Sequence, residues 1–152
     1  MPESLGSPGR YVPSMGTPLA ETYAALVDDV IWLHSKWITY RQIFAGDTPG
    51  RLEKLNRAAG FCFYVTQQVT WNDTLLHLAR LTDPPKSAGR RNLTLRALAA
   101  HISDESLATE VAALVEVTCS SCEFARVWRN RRFAHHDYEH ALAIADTPLP
   151  RG

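Results

Sequence analysis

From Leu19 to Phe44 the apolar side chains fall at Leu19, Tyr23, Leu26, Val30, Leu33, Trp37, Tyr40 and Phe44, in alternating steps of four and three. That spacing sets them on one stripe of an α-helix and is incompatible with the two-residue period of a strand. Thr17 followed by Pro18 reads as a cap and a proline in the first turn, so the spacing predicts one long amphipathic helix over about 18–45. The punctuation then repeats. Gly46 ends the first helix, and Thr48 with Pro49 opens a second, whose inward positions are Leu52, Leu55, Ala59, Cys62, Val65, Val69, Leu76 and Leu81. Asp83, Pro84 and Pro85 close it, because a proline ring and its missing N–H cannot continue a helix. A polar, basic connection, KSAGRRN, leads into a short helix around 93–102. Ser103 or Asp104 then caps another, with Leu107, Val111, Leu114, Val115, Cys122 and Ala125 facing inward. No segment sustains a period of two between hairpin turns. The expected fold is an all-α antiparallel bundle of four to five helices.

A chain of 152 residues, 45% hydrophobic, supports one ordinary core. Residues 1–17 hold three Pro, three Gly and three Ser without an apolar run, so they are expected to be a disordered leader. The helical domain is expected over 18–140, and residues 141–152, with their Pro-rich end, as a flexible or truncated tail. No stretch approaches the roughly 20 apolar residues that span a bilayer. The expected compartment is the cytoplasm. Cys62, Cys119 and Cys122 are an odd set without an export signal, which argues for reduced thiols. The Cys119–Cys122 gap has the spacing of a metal pair, but it also places neighbours on one helix face and no second pair exists. No metal and no cofactor are expected.

Formal net charge is zero, yet Arg126, Arg129, Arg131 and Arg132 crowd into seven positions, followed by His135, His136 and His140. Localised positive charge of this kind suits a site better than a general coat. On an unbroken helix, eighteen residues make five turns, so Arg129 repeats the azimuth of Val111 and points inward or into an interface. His136 then falls close to the same face, whereas a kink near Phe133 gives that place to His135. A buried guanidinium requires a partner or a phosphate. Arginine next to histidine suits phosphodiester cleavage without a metal. Imidazole, with a pKa near ~6.5, exchanges protons with an RNA 2′ hydroxyl and the leaving oxygen, and guanidinium stabilises the charge building on phosphorus. Asn130 can orient either group.

The run RNRRFAH, that is Arg129, Asn130 and then His135, resembles the motif of the HEPN superfamily. The segments RLTDPPKSAGRRNLTLRAL (80–98) and AHHD (134–137) are similar to its abortive-infection type U branch. The resemblance covers about 18–140. It implies a homodimer whose two motifs form one composite ribonuclease site, serving phage defence or a toxin–antitoxin pair. Arg129 and His135 would be the catalytic pair, positioned by Asn130. Arg131, His136, Arg126 and Arg132 are further candidates for catalysis or phosphate binding. A second register, Arg131, His136 and Tyr138, is similar to HEPN toxins whose tyrosine is modified by a partner nucleotidyltransferase, which makes Tyr138 a candidate modification site. An antitoxin or that transferase would be the protein partner, and RNA the substrate. Two other classes compete: a noncatalytic HEPN module binding RNA, a nucleotide or a protein partner, and a structural dimerising bundle whose arginines only satisfy helix ends. The four tryptophans are read as core or dimer contacts, and His34, His77 and His101 as ordinary core or surface histidines.

Overall fold

The computed structural model describes residues 6–45 and 49–134, the last three by backbone alone. Two long helices dominate: α2 (Thr17–Phe44) and α3 (Arg51–Leu81), preceded by a single turn, α1 (Val12–Met15). Past α3 come a two-residue antiparallel ladder, β1 (Lys86–Ser87) with β2 (Arg90–Arg91), and two 3-10 turns, Leu95–Ala97 and Ala99–His101. Then follow α4 (Glu105–Ser121), α5 (Glu123–Trp128) and a π-helical turn, Arg129–Ala134. The fold is all-α, with that small ladder as its sheet.

The period of α2 is read correctly, but Gly16, at φ 72°, occupies the cap position and Thr17 is already helical. The expected stop at Gly46 and the cap at Thr48 lie outside the described residues. Asp104 caps α4 as expected, its Oδ1 accepting from the Leu107 amide at 2.9 Å. From Gly6 to Gly16 the segment expected to be a disordered leader lies against α2 instead. The Gly6 amide donates to Asp28 Oδ1 at 3.0 Å, and Tyr11 meets Tyr23 edge-on at 5.0 Å.

The inward face was misjudged in part, on the unbroken α2 as well, where Val30 and Trp37 are 43 and 38% exposed. Ala59 (φ −165°, ψ 63°) interrupts α3, and the expected stripe is open to solvent on both sides of it: Leu52 ahead of the break is 55% exposed, and Val65 and Val69 beyond it 41 and 61%, while Leu81 at the helix end is buried as expected. The core instead gathers at the C-terminal half of α3, around Leu75, Ala79 and Ala125, with Trp71, Leu78, Phe124 and Trp128 against them. A second break, at Cys122 (φ −97°, ψ 5°), separates α4 from α5. On α4, ahead of that break, Leu107 and Leu114 are exposed, not inward, while Val111 and Val115 are half-buried. The five-turn count that aligned Arg129 with Val111 does not hold across that break.

Ala79 and Ala125 are both fully buried, and side chains this small let α5 approach α3 closely. Their neighbour Leu75, 1% exposed, fills the remaining space. The polar, basic connection, where no strand was expected, folds into a hairpin because Ala88 (φ 46°) and Gly89 (φ 79°) both take left-handed backbone, the geometry of a tight two-residue turn. Asn92 pins its base, its Nδ2 donating to the Pro84 carbonyl and to Ser87 Oγ, both at 2.9 Å.

Leu75→Ala removes the side chain at the α3–α5 contact and is expected to cost about 2–5 kcal/mol, a transfer loss plus a cavity term. Urea unfolding followed by circular dichroism measures it. A shift below 1 kcal/mol would place the core elsewhere.

Candidate functional site

The last turn of an α-helix leaves carbonyls without partners and concentrates negative partial charge. At the end of α3 that charge is answered by two arginines one turn apart on the next packed segment. Arg126 Nη2 donates to the Thr82 carbonyl at 3.1 Å, while its Nη1 lies 3.0 Å from Glu123 Oε2. Thr82 is itself buried, its Oγ1 donating back to the Leu78 carbonyl at 2.8 Å. Arg129 then takes the first residue beyond the cap: its Nη1 donates to both carboxylate oxygens of Asp83, at 2.6 and 2.5 Å.

Arg129 is held from a second side as well. Its Nε donates to Asn130 Oδ1 at 3.1 Å. Guanidinium carries five N–H donors in a rigid fork. With Nη1 and Nε engaged, the Nη2 edge makes no hydrogen bond among the described residues. The side chain is 27% exposed and that of Asp83 20%, so the pair is sheltered, and one edge of a fixed cation remains for an anionic oxygen.

A polar cleft of about 290 Å³ leads away from this pair, lined by Lys36, Asp73, His77, Arg80, Asp83 and Arg129. Asp73, His77 and Arg80 share one face of α3 at steps of four and three, and Asp29 and Lys36 of α2 meet them. Lys36 Nζ lies 2.5 Å from Asp73 and 3.3 Å from His77 Nδ1. An ammonium only donates, so Nδ1 is the acceptor and the neutral ring carries its proton on Nε2. That N–H is buried without a hydrogen bond, 3.7 Å from Asp29 Oδ1. Burial first, then the charges of Lys36 and Arg80, push the His77 pKa below its ordinary 6.5, so the ring is neutral at pH 7. A larger cavity of about 470 Å³, between α2, α3 and α5, is lined by apolar groups including Trp37, Trp71 and Phe124. It carries no titrating chemistry beyond His34.

The structure thus brings Arg129 and Asn130 together and turns Arg126 to the helix end. Arg131 is half-buried and makes no ion pair with the described residues. The Arg132 side chain, His135, His136, His140 and Tyr138 lie outside the described residues. Residues 129–134 form a π turn, closed i→i+5 and wider than an α turn. Such turns are frequent at functional sites. Asp83, the carboxylate that holds Arg129, is the residue that sequence reasoning missed. It reads there as a helix stop before two prolines, and its pairing across 46 positions has no local signal. Among the described residues no group of His, Cys, Asp or Glu is placed to hold a metal ion, Cys119 and Cys122 included. No described helix is long and apolar enough to cross a membrane.

A family model described as AbiU2, of the HEPN type, matches residues 16–150 of this sequence. No curated protein and no solved structure matches it.

A double-mutant cycle on Asp83→Asn and Arg129→Gln should give a coupling of about 0.5–3 kcal/mol in urea unfolding, as expected for a sheltered pair in direct contact. Additive effects would show that the two side chains do not interact in solution. His77 sets a pH dependence. The unfolded chain takes up its proton near 6.5 and the folded chain only at lower pH, so stability falls as pH drops below 6.5. Urea midpoints from pH 7.5 to 5 should fall for the parent protein and less steeply for His77→Gln. Parallel curves would assign the loss to other groups.

Proposed function

Because this chain belongs to the AbiU2 family of HEPN domains, we propose that it is a metal-independent endoribonuclease. Its site is composite, formed by Arg129 and His135 of two copies, and it acts in phage defence or as the toxin of a toxin–antitoxin pair. The observation that carries this reading is the state of Arg129. Asp83 and Asn130 fix its guanidinium, its Nη2 edge is open among the described residues, and it begins the turn that leads to His135. A cation already oriented loses little freedom when it meets a phosphate, and it need not reorganise as charge develops on the nonbridging oxygens.

In the proposed reaction His135 accepts the proton of the RNA 2′ hydroxyl. The 2′ oxygen attacks the adjacent phosphorus, and the bond from phosphorus to the 5′ oxygen breaks. A second imidazole, or the same one once protonated, returns a proton to that oxygen. The products are a 2′,3′-cyclic phosphate and a 5′ hydroxyl, so RNA is cut and DNA is spared. Two copies are supported by the amount of apolar surface one copy leaves open: Trp32 is 60% exposed, Phe61 82%, Val69 61%, Leu114 69% and Val117 67%. Arg131 and His136 remain candidates for phosphate binding or proton transfer, and Tyr138 for modification by a partner transferase. The ion pair itself favours a second reading, in which Asp83 satisfies Arg129 permanently and the domain binds RNA, a nucleotide or a protein without cutting.

Purified dimer should cut single-stranded RNA in EDTA, leaving cyclic phosphate ends detectable by mass spectrometry. Arg129→Gln and His135→Ala should each lower the rate by about 10²–10⁴. Cleavage that disappears in chelator and returns with added metal would sink the mechanism. Binding without products would favour the second reading.

A further inference from the structure

The β1–β2 hairpin contradicts ordinary sheet economy. Its register sets Lys86 directly opposite Arg91 on one face of the ladder and Arg90 opposite Ser87 on the other. Like charges facing each other across an antiparallel pair destabilise it. All four ladder positions are exposed, and none of the three cations makes an ion pair with the described residues. Lys36, Arg80, Arg96, Arg126 and Arg129, by contrast, each face a carboxylate, although Arg57 and Arg131 share the lack of an ion pair with the described residues. The turn adds a second cost, since Ala88 takes left-handed backbone that a Cβ disfavours. The hairpin is nonetheless tied down by Asn92 at Pro84 and Ser87. An uncompensated cationic knot on a pinned scaffold is the kind of local conflict that marks a site selected for something other than stability.

Its position says what that is. Lys86 is three residues beyond Asp83, so its Cα lies within roughly 11 Å of the residue that holds Arg129. We propose that Lys86, Arg90 and Arg91 form a clamp for the phosphodiester backbone of an RNA strand, flanking the Arg129 site on the substrate side. This rests on the ribonuclease reading above and adds a binding element to it. Three exposed cations without carboxylates suit backbone phosphates, which demand charge and no base contact, so the clamp grips RNA regardless of sequence. A bound phosphate also relieves the repulsion between Lys86 and Arg91. The empty hairpin is therefore less stable than a neutral version, and the occupied one more so.

The test measures the binding of a labelled single-stranded RNA to full-length protein, in the His135→Ala background so that no strand is cut. It compares Lys86→Gln/Arg90→Gln/Arg91→Gln with the parent and with Arg57→Gln, an exposed arginine early in α3, as a charge control. The triple variant should bind at least about tenfold more weakly at low salt, with a slope of log affinity against log salt shallower by about 2, the value for three phosphate contacts on a single strand. Its urea midpoint without RNA should equal or exceed the parent's, because the facing like charges are gone. Equal affinity and slope in parent and triple variant would overturn the clamp and leave the ribonuclease reading standing. A comparable loss on Arg57→Gln would reduce it to general charge, and a lowered urea midpoint would make the hairpin structural. A parent that neither binds nor, with His135 restored, cuts RNA would overturn the ribonuclease reading and the clamp with it.

Discussion

What organises this molecule is the electrostatic closure of the end of α3. A helix of 31 residues finishes in a buried position, and its final carbonyls need donors there that water supplies incompletely. Arg126 supplies one to the Thr82 carbonyl, and Arg129 reaches the carboxylate of Asp83 next to it. Both contacts require α5 to lie close, and that closeness comes from alanine at positions 79 and 125. A larger residue at either would lift the guanidiniums away from their acceptors. Packing therefore comes first, and the charged geometry of the site is its consequence.

The same closure resolves the puzzle of a neutral chain with a dense arginine cluster. The four arginines do not act alike. Arg126 is spent on architecture, with one nitrogen on a carbonyl, another near Glu123 and a buried Nε that finds no acceptor. Arg129 is held rather than spent. A carboxylate sharing one guanidinium nitrogen between its two oxygens fixes the direction of the fork while the opposite nitrogen keeps its donors. Breaking a sheltered pair by removing one partner leaves the other uncompensated. Asp83 and Arg129 are thus coupled in stability as well as in geometry, whatever passes over them.

Much of the architecture was legible because it follows from periodicity. Steps of four and three from Leu19 to Phe44 admit one structure, and Pro84 with Pro85 admit one stopping point. The Asp104 cap was readable because its chemistry is local. What failed were inferences that carry a helical azimuth over long distances. Neither Ala59 nor Cys122 is a helix breaker by composition, yet each interrupts the count: Val65 and Val69 beyond Ala59 are exposed, while Leu81 and Ala125 are buried as expected. The hairpin was missed because two-residue strands are too short for a period of two to show, and Ala–Gly is a weaker turn signal than Asn–Gly. Asp83 was missed for a different reason. Its role is a contact between distant positions, and nothing in its neighbours specifies the partner.

The exposed apolar surface bears on how a site at Arg129 is completed. The described core is small, centred on Leu75, Ala79 and Ala125, while aromatic groups such as Trp37 and Trp71 line an open cavity of about 470 Å³. Two walls of that cavity lead to the site. Phe124 on α5 lies five residues before Arg129, and Leu78 on α3 lies five before Asp83, so each wall is little more than a turn from one member of the ion pair. Whatever covers the cavity must approach the pair as well. Under the proposed dimer this gives the hydrophobic effect a catalytic consequence: burying the aromatic wall is what brings a second copy's chemistry toward the open edge of the first. A dimer built on the distant, exposed half of α3 would bury comparable apolar surface without doing so. In the proposed dimer, the location of the apolar cavity, more than its size, would therefore tie assembly to the composite site.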